Sequence, residues 1–208
     1  MSNGILLYHP IEKFIAAHPA RRGVFDKASM TSLWDHWLKR KPKWAFSPWP
    51  LLNALSEHIE AVRPEVPKSE DDGLQFIETT GRVPFPSDIE LAERVFGCRV
   101  INNVGCREIW NIAYECPAGA LHINDQTAVV DLVDDAGALV VDYNKSGNVI
   151  VTSLVNYMMP FVKYATGDRG TILQDQCPCG SATATFCFAQ PRFFECLGDT
   201  ASAGLKMR

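Results

Sequence analysis

The sequence predicts an α/β layer followed by antiparallel β-structure that forms a small β-barrel. Two patterns support this prediction: apolar residues recur at helical spacing in the first half, and short Val/Ile-rich runs fill the second. The chain has 208 residues, 47% of them hydrophobic, which is enough for a buried core in one domain or two small ones. We expect an α/β part over residues 1–112, a β-barrel-like part over residues 113–190 and a frayed tail over residues 191–208.

Helices and strands are predicted to alternate in the first half. Residues 30–39 have apolar side chains at every third or fourth position, as in a helix with one buried face. Ser47 is the expected N-cap of a second helix, with Pro48 at its first position. Ser87 is the expected N-cap of a third helix, which Gly97 ends. The expected strands are residues 74–77 and 99–101. This order favours a largely parallel sheet.

The second half is predicted to form an antiparallel meander. Helical spacing disappears after about residue 113, and short apolar runs take its place. The expected strands are residues 128–133, 138–141, 149–154, 161–165 and 171–173. Segments such as Asp-Asp-Ala-Gly, Asn-Lys-Ser-Gly and Gly-Asp-Arg-Gly between them are typical of tight turns.

The charge balance disfavours nucleic acids and anionic membranes as partners. The 20 basic and 24 acidic residues give a formal net charge of −4, whereas both of those partners are bound through dense positive surfaces. No apolar run reaches the roughly 18–20 residues that cross a bilayer. The first ten residues lack the basic and long apolar regions of a secretory signal. We therefore expect a cytoplasmic protein.

The cysteines predict a metal site. The chain has seven cysteines, an odd number that, without an export signal, favours metal ligation or free thiols over disulfides. Cys116 lies shortly before His122, and Cys177 and Cys179 form a Cys-Pro-Cys-Gly turn further on. Three thiolates and one imidazole suit a closed tetrahedral structural zinc site. The alternative is three buried free thiols and a surface histidine. Core or incidental thiols are expected at Cys98, Cys106, Cys187 and Cys196.

Three groups of residues, in order along the chain, resemble a known family. The first is Phe-Gly-Cys-Arg-Val followed by Asn-Val-Gly-Cys-Arg-Glu, within residues 96–108. The second is Glu-Cys followed by Leu-His-Ile, within residues 115–123. The third and most specific runs from Val-Thr-Ser-Leu through Lys-Tyr-Ala-Thr-Gly-Asp to Cys-Pro-Cys-Gly, over residues 151–180. Over about residues 30–180 the chain resembles the phenylacetate–CoA ligase branch of the adenylate-forming (acyl-CoA synthetase, AMP-binding) superfamily.

The resemblance implies an ATP-dependent ligase that activates a carboxylic acid as an acyl adenylate and passes the acyl group to a thiol. Glu108 would hold Mg²⁺ against the phosphates, since Mg²⁺ prefers carboxylate, phosphate and water oxygens. Asp168 would accept hydrogen bonds from both ribose hydroxyls, and Gly81 would let the backbone approach adenine. The plain alternatives are an ordinary exposed acid for Glu108 and an ordinary turn residue for Asp168.

The same resemblance implies roles for further residues. Lys163 would join Glu108 in catalysis, and Trp110 would line the substrate pocket. The further cofactor-binding residues would be Val104, Gly105 and Arg192. The expected cofactors are ATP or AMP with Mg²⁺, beside structural Zn²⁺.

The chain also departs from the family pattern. Val104 stands where the family has a tyrosine that stacks on adenine, Arg107 replaces a threonine, and Lys163 replaces an arginine. No Ser/Thr/Gly-rich phosphate loop occurs before Leu74, and only residues 191–194 hint at the hinge before the family's lysine-bearing C-terminal domain. The phosphate loop and the lysine would provide preorganised hydrogen-bond donors and positive charge, which supply a large part of the rate enhancement in enzymes. We therefore expect the chain alone to catalyse no ATP–pyrophosphate exchange above background with aryl acids.

Two functions follow as hypotheses. The first is a truncated or split ligase that binds a nucleotide and a small carboxylic acid, with a partner chain as a possible source of the missing segments. The second is a non-catalytic binding or scaffold protein that reuses the fold.

Overall fold

The computed structural model describes residues 6–9, 14–17, 26–62, 74–81, 84–174 and 176–190. The chain divides into two compact units, unit 1 (Met1–Ile101) and unit 2 (Asn102–Arg208). Within the described ranges, helices occur only in unit 1. The predicted α/β class is confirmed: the fold is mixed, with helices and parallel strands before antiparallel strands. The predicted tail, with Arg192 and Cys196, lies outside the described residues.

Unit 1 contains the helices and a parallel strand pair. Its elements are β1 (Leu6–His9), β2 (Phe14–Ala17), α1 (Lys27–Arg40), β3 (Trp44–Pro48), α2 (Trp49–Val62), β4 (Phe76–Thr80), α3 (Pro86–Phe96) and the start of β5 (Arg99–Val104). β1 and β2 pair antiparallel. β3 and β4 pair parallel, and both strands end at the same edge, where Pro48 lies opposite Thr80. β3 is a strand that the sequence analysis misses.

The core of unit 1 is formed by the apolar faces predicted from helical spacing. Trp34 of α1 packs edge-on against Phe96 of α3, with ring centroids 5.9 Å apart. Trp49 and Ile59 of α2 and Ile77 of β4 are completely buried in the same cluster. Burial of this apolar surface is the main force that holds the unit together. Among the described residues, no helix has the length and the apolar character to cross a bilayer.

Two predicted helix caps are wrong, and one is confirmed. Ser47 lies in β3, and its Oγ donates to the carbonyl of Pro48, so α2 begins after it. Ser87 lies inside the first turn of α3, whose N-cap is Phe85 without a side-chain hydrogen bond. Pro86 begins α3, where its fixed φ angle suits the first turn, whereas Pro48, expected at the first position of α2, is the last residue of β3. Gly97 ends α3 as predicted, at φ 63°, with its N–H donating to the Glu93 carbonyl.

Unit 2 is antiparallel throughout its described strands. Its elements are the end of β5, then β6 (Ala113–Glu115), β7 (Leu121–Ile123), β8 (Ala128–Val133), β9 (Ser146–Ser153), β10 (Tyr164–Leu173) and β11 (Thr185–Gln190). The strand order is β5-β6-β7-β11-β10-β9-β8. The meander of β8, β9 and β10 is therefore confirmed. The sequence analysis misses β6, β7 and β11 because two of them are only three residues long.

Two predicted strand boundaries in unit 2 are wrong. Residues 138–141 form no strand and contribute only an isolated bridge from Leu139 to Val133. The predicted strands 161–165 and 171–173 belong to one strand, β10, whose register shifts between Ala165 and Arg169. The Gly-Asp-Arg-Gly segment is therefore a bulge within a continuous strand, and not a turn between two strands.

Gly105, between β5 and β6, is predicted to tolerate no larger residue. A Cβ atom there would lie 2.8 Å from the Asn111 nitrogen and 3.3 Å from the Ile109 carbonyl oxygen, both of them backbone atoms. We expect Gly105→Ala to lower the free energy of unfolding by about 1–3 kcal/mol, because the loop backbone has to shift. Denaturation followed by circular dichroism measures this. Gln126→Ala, at an exposed loop position, should change stability by less than about 0.5 kcal/mol, and equal effects of the two variants would contradict the prediction.

Cys98, between α3 and β5, is predicted to make unit 1 sensitive to alkali. Burial, together with the charge of Glu93, raises the pKa of the Cys98 thiol from 9.0 to about 11. The folded chain keeps this proton at a pH where the unfolded chain has lost it, so this stabilising contribution is present below pH 9 and is lost as the pH rises towards 11. We expect Cys98→Ser to make the decline in stability over this range less steep than in the wild type. An unchanged slope would show that other groups cause the alkaline decline.

Candidate functional site

The structure brings together the four residues predicted to bind a metal. The donor atoms of Cys116, His122, Cys177 and Cys179 all lie within 4.8 Å of one another. The Sγ atoms of Cys116 and Cys177 are 3.5 Å apart, and the Cys179 Sγ lies 3.4 Å from His122 Nε2. Cys116 and His122 are buried, whereas Cys179 is exposed. Cys177 is buried as well, so the cluster has three buried residues and reaches the surface of unit 2 at Cys179.

Strand pairing positions the four donors. β7 pairs antiparallel with β6, where His122 lies opposite Tyr114, and with β11, where His122 lies opposite Thr185. Cys116 directly follows β6, so the short connection to β7 holds it near His122. Cys177 and Cys179 lie in the connection that leads into β11. Residues that are 61 positions apart, such as Cys116 and Cys177, are thus brought into contact.

The cysteines lie in two turns of the same construction. In Cys-Pro-Ala-Gly the Gly119 N–H donates to the Cys116 carbonyl at 2.9 Å, and in Cys-Pro-Cys-Gly the Gly180 N–H donates to the Cys177 carbonyl at 3.1 Å. Both glycines have φ near +80°, which a residue with a side chain rarely adopts. The sequence analysis considers only the second turn. The repeated Cys-Pro-x-Gly pattern was the feature that would have identified the first.

Thr183 orients the imidazole and was missed by the sequence analysis. His122 Nδ1 lies 2.9 Å from the Thr183 carbonyl oxygen and 3.0 Å from Thr183 Oγ1. The carbonyl can only accept, so this contact favours the tautomer with the proton on Nδ1. Nε2, which then has the free lone pair, is the nitrogen beside Cys179. Metal-binding histidines are commonly held in this way by a backbone carbonyl.

The surroundings of Cys116 favour its thiolate. Burial raises the pKa of the thiol, but hydrogen bonds from the backbone of Ala120 and Ala118 and from the Cys177 and Cys179 side chains together lower it to about 7. A metal ligand has to be deprotonated, so this environment suits ligation. Three sulfur donors and one nitrogen donor fit a closed tetrahedral zinc site. The four donors would fill all four positions of such a site, which leaves none for water or substrate.

Gly81, predicted to face adenine, lies at the end of β4 in unit 1. Its φ angle is +96°, and a Cβ atom there would meet no heavy atom within 4 Å. Glycine is therefore required at this position by the backbone conformation, and not by crowding from a neighbour. The backbone is open on this side at the carboxyl end of a parallel strand, which is where open α/β sheets commonly bind ligands.

The loop between β5 and β6 contains three of the predicted site residues, Gly105, Glu108 and Trp110, and a fourth, Val104, directly precedes it. Val104 ends β5, and its carbonyl accepts from the Ile112 N–H at 2.7 Å, which closes the loop at its base. Ile109 is buried and anchors the centre of the loop. Beside it, Glu108 is partly buried and hydrogen-bonds the Cys106 thiol. Trp110 is 65% exposed.

Asp168 lies on the bulge of β10. The Asp168 N–H donates to Thr166 Oγ1 at 3.2 Å, and Gly167 beside it has a φ angle of +82°. The next residue, Arg169, donates through Nη1 to Asp135 Oδ1 at 2.6 Å and to Asn148 Oδ1 at 3.3 Å. The Arg169 guanidinium also holds the pKa of Asp135 below its usual value. The bulge is therefore held on both sides of Asp168, by Thr166 before it and by Arg169 after it. The sequence analysis assigns no role to either side chain.

Lys163 and Arg192 complete the predicted set. Lys163 is exposed, directly precedes β10 and has a φ angle of +52°. Its N–H donates to Thr152 Oγ1 at 3.0 Å, which fixes the backbone at this point. Arg192 lies outside the described residues. The predicted nucleotide residues thus lie on separate elements: Gly81 follows β4 in unit 1, whereas in unit 2 Glu108 lies in the loop between β5 and β6, Lys163 directly precedes β10 and Asp168 lies on the bulge of β10.

Comparison with known proteins identifies the fold. No protein-family model matches the chain, and no curated protein matches it either. The chain is similar to a solved 2-hydroxyisobutyryl-CoA ligase in complex with 2-HIB-AMP and CoA, at a TM-score of 0.67 and 16% identity, over 78% of this chain and 36% of the ligase.

Two further solved ligases are similar to the chain. One is the anthranilate CoA ligase AuaEII in complex with anthranoyl-AMP, at a TM-score of 0.55 and 15% identity, over 79% of this chain and 33% of the ligase. The other is the long-chain-fatty-acid-CoA ligase FadD1 from Archaeoglobus fulgidus, at a TM-score of 0.54 and 16% identity, over 84% of this chain and 39% of the ligase. The chain thus spans little more than a third of the length of these proteins. Its fold matches part of the adenylate-forming ligase fold.

Proposed function

We propose that this chain is part of an ATP-dependent, adenylate-forming acyl- or aryl-CoA ligase, in which it binds the nucleotide portion of an acyl adenylate. The observation that supports this most is the fold similarity over 78% of the chain to a ligase solved with an acyl adenylate and CoA. The motifs within residues 151–180 and the Cys/His cluster favour the phenylacetate–CoA ligase branch.

Asp168 is the proposed ribose-binding residue. A carboxylate accepts hydrogen bonds from two neighbouring hydroxyls more strongly than a neutral acceptor would. The geometry favours this role because the bulge fixes the backbone on both sides of Asp168, through Thr166 before it and Arg169 after it. The open backbone at Gly81 is the proposed contact for adenine. Val104 occupies the sequence position of the family's aromatic residue.

Glu108, Lys163 and Arg192 are the proposed residues on the phosphate side. The carboxylate of Glu108 is a hard oxygen donor of the kind that Mg²⁺ binds, and Mg²⁺ would neutralise phosphate charge there. Lys163 and Arg192 would add positive charge, Lys163 without the bidentate geometry of arginine. Trp110 would contact the acyl group. We propose that this chain by itself supplies nucleotide binding and little catalysis.

A structural zinc ion is the proposed occupant of the Cys/His cluster. Cys116, His122, Cys177 and Cys179 would each supply one ligand, and Thr183 would hold the imidazole in the required tautomer. Such an ion would link the β6–β7 connection to the segment that precedes β11. Because the ligands come together only in the folded chain, binding would stabilise unit 2.

A second candidate is a non-catalytic binding or scaffold protein. The observation that favours it is the connection between β9 and β10, which exposes apolar side chains to an unusual degree: Tyr157 is 85%, Met158 96% and Val162 68% exposed. Contiguous exposed apolar surface is typical of sites that bind other proteins. This candidate predicts partner binding without nucleotide binding.

Nucleotide binding is tested by thermal unfolding with ATP, AMP and a non-hydrolysable acyl-adenylate analogue, each with Mg²⁺. We expect the unfolding transition to rise, with a stabilisation of about 2.7 kcal/mol at a ligand concentration one hundred times the Kd. Asp168→Asn removes the charged acceptor and should abolish most of this shift. Asp125→Asn, at an exposed position of the loop between β7 and β8, serves as the matched control and should keep it.

The outcomes separate the two candidates. A shift that is lost in Asp168→Asn and kept in Asp125→Asn supports the ligase assignment. A folded wild-type chain that responds to none of the three compounds would reject nucleotide binding and favour the scaffold candidate. An equal shift in both variants would place the nucleotide elsewhere than at Asp168.

Zinc binding is tested by metal analysis of the purified wild-type chain. We expect about one equivalent of zinc, and a clear loss of zinc and of thermal stability in Cys116→Ser, because one of four ligands is removed. Cys98→Ser is the matched control and should retain the metal, since Cys98 lies in unit 1, outside the cluster. Less than about a tenth of an equivalent in the wild type would reject the site.

A further inference from the structure

The three cysteines of the Cys/His cluster differ in how accessible they are to oxidants in solvent. Cys116 and Cys177 are buried, and Cys179 is exposed. Cys179 follows Pro178 in the second turn, and the Ser181 nitrogen lies 3.4 Å from its sulfur. A small oxidant arriving from solvent therefore meets the sulfur of Cys179 before it meets the other two.

Cys116 is the thiol best placed to react with an oxidised Cys179. All donor atoms of the cluster lie within 4.8 Å of one another, so the two sulfurs need to move by less than 3 Å to reach the roughly 2.05 Å of a disulfide. Cys177 is a poorer partner, because only Pro178 separates it from Cys179 and a disulfide would close a very small ring.

We propose that Cys179 and Cys116 form a peroxide-sensitive pair, in which oxidation of Cys179 leads to a Cys116–Cys179 disulfide and release of the metal. This inference rests on the proposed zinc centre and adds an oxidation site to it. The oxidant is hydrogen peroxide or an alkyl hydroperoxide.

The proposed oxidation proceeds in two steps and consumes one molecule of peroxide. The Cys179 thiolate attacks one peroxide oxygen, the O–O bond breaks, and a sulfenic acid and hydroxide form. The Cys116 thiolate then attacks the sulfenic sulfur, the S–S bond forms, and a second hydroxide leaves. Two thiolates lose two electrons, which reduce the peroxide, and the hydroxides take protons from solvent to give water. Only Cys177 and His122 remain as donors, and two ligands do not retain zinc in a tetrahedral site.

Cys98, in unit 1, is expected to react more slowly than this pair. Burial raises the pKa of its thiol to about 11. Peroxide reacts with thiolates and hardly with thiols, so Cys98 reacts slowly at neutral pH. The cluster, whose ligands are thiolates when metal is bound, is the more reactive site.

The experiment uses the purified wild-type chain with its metal. Zinc content is measured first; hydrogen peroxide is then added, and released zinc is followed with a chromogenic chelator while free thiols are counted. We expect about one equivalent of zinc to leave as two thiols disappear, and peptide mapping to find a Cys116–Cys179 disulfide. Dithiothreitol followed by added zinc should restore both. Cys98→Ser should behave like the wild type.

The experiment distinguishes failure of the proposed metal centre from failure of the proposed oxidation site. Absence of zinc before peroxide is added rejects the metal centre itself, and with it this inference. Bound zinc that survives peroxide, or a disulfide or sulfonic acid at other cysteines while Cys116 and Cys179 stay reduced, overturns the oxidation site and leaves the metal centre intact. Cys179→Ser loaded with zinc should release it at least about tenfold more slowly; if this variant does not hold zinc, the peptide map of the wild type decides.

Discussion

The pairing of β7 with β6 on one side and with β11 on the other is the constraint on which the candidate metal centre depends. It buries His122 between two strands whose neighbouring turns contain the cysteines. The hydrogen bond to the Thr183 carbonyl then determines which ring nitrogen faces the sulfurs. A buried imidazole without such partners would be costly, so the same contacts satisfy the histidine and prepare a ligand. The candidate metal centre is thus a consequence of how β6, β7 and β11 pair.

Short strands of this kind need additional support. β6 and β7 are three residues long, and a pair of such strands has little stability by itself. A bound ion would join their connection to the segment before β11, which gives a physical reason for a structural metal at this edge of unit 2. The exposed position of Cys179 has the opposite consequence, because it makes the proposed metal centre accessible to oxidants. Stability and reactivity therefore arise from one arrangement of sulfurs.

The proposed nucleotide residues are held by different means. At Asp168 a bulge in a long strand presents the carboxylate, while Arg169 is fixed by Asp135 and Asn148. At Gly81 a positive φ angle leaves the backbone open at the end of β4. Neither feature includes a residue of the Cys/His cluster, so the proposed nucleotide residues and the proposed metal ligands can be tested separately.

The sequence by itself determined the elements whose evidence is local. Helical spacing predicted α1, Gly97 predicted the end of α3, and short Val/Ile-rich runs predicted β8 and β9, because each of these depends on residues a few positions apart. The four candidate ligands were also evident, since few residue types bind zinc. Only the tertiary structure decided that their donor atoms meet, that Thr183 orients the ring, and that Gly-Asp-Arg-Gly is a bulge and not a turn. The reason is that strand pairing joins residues about 60 positions apart, and no local pattern specifies which strands will be neighbours.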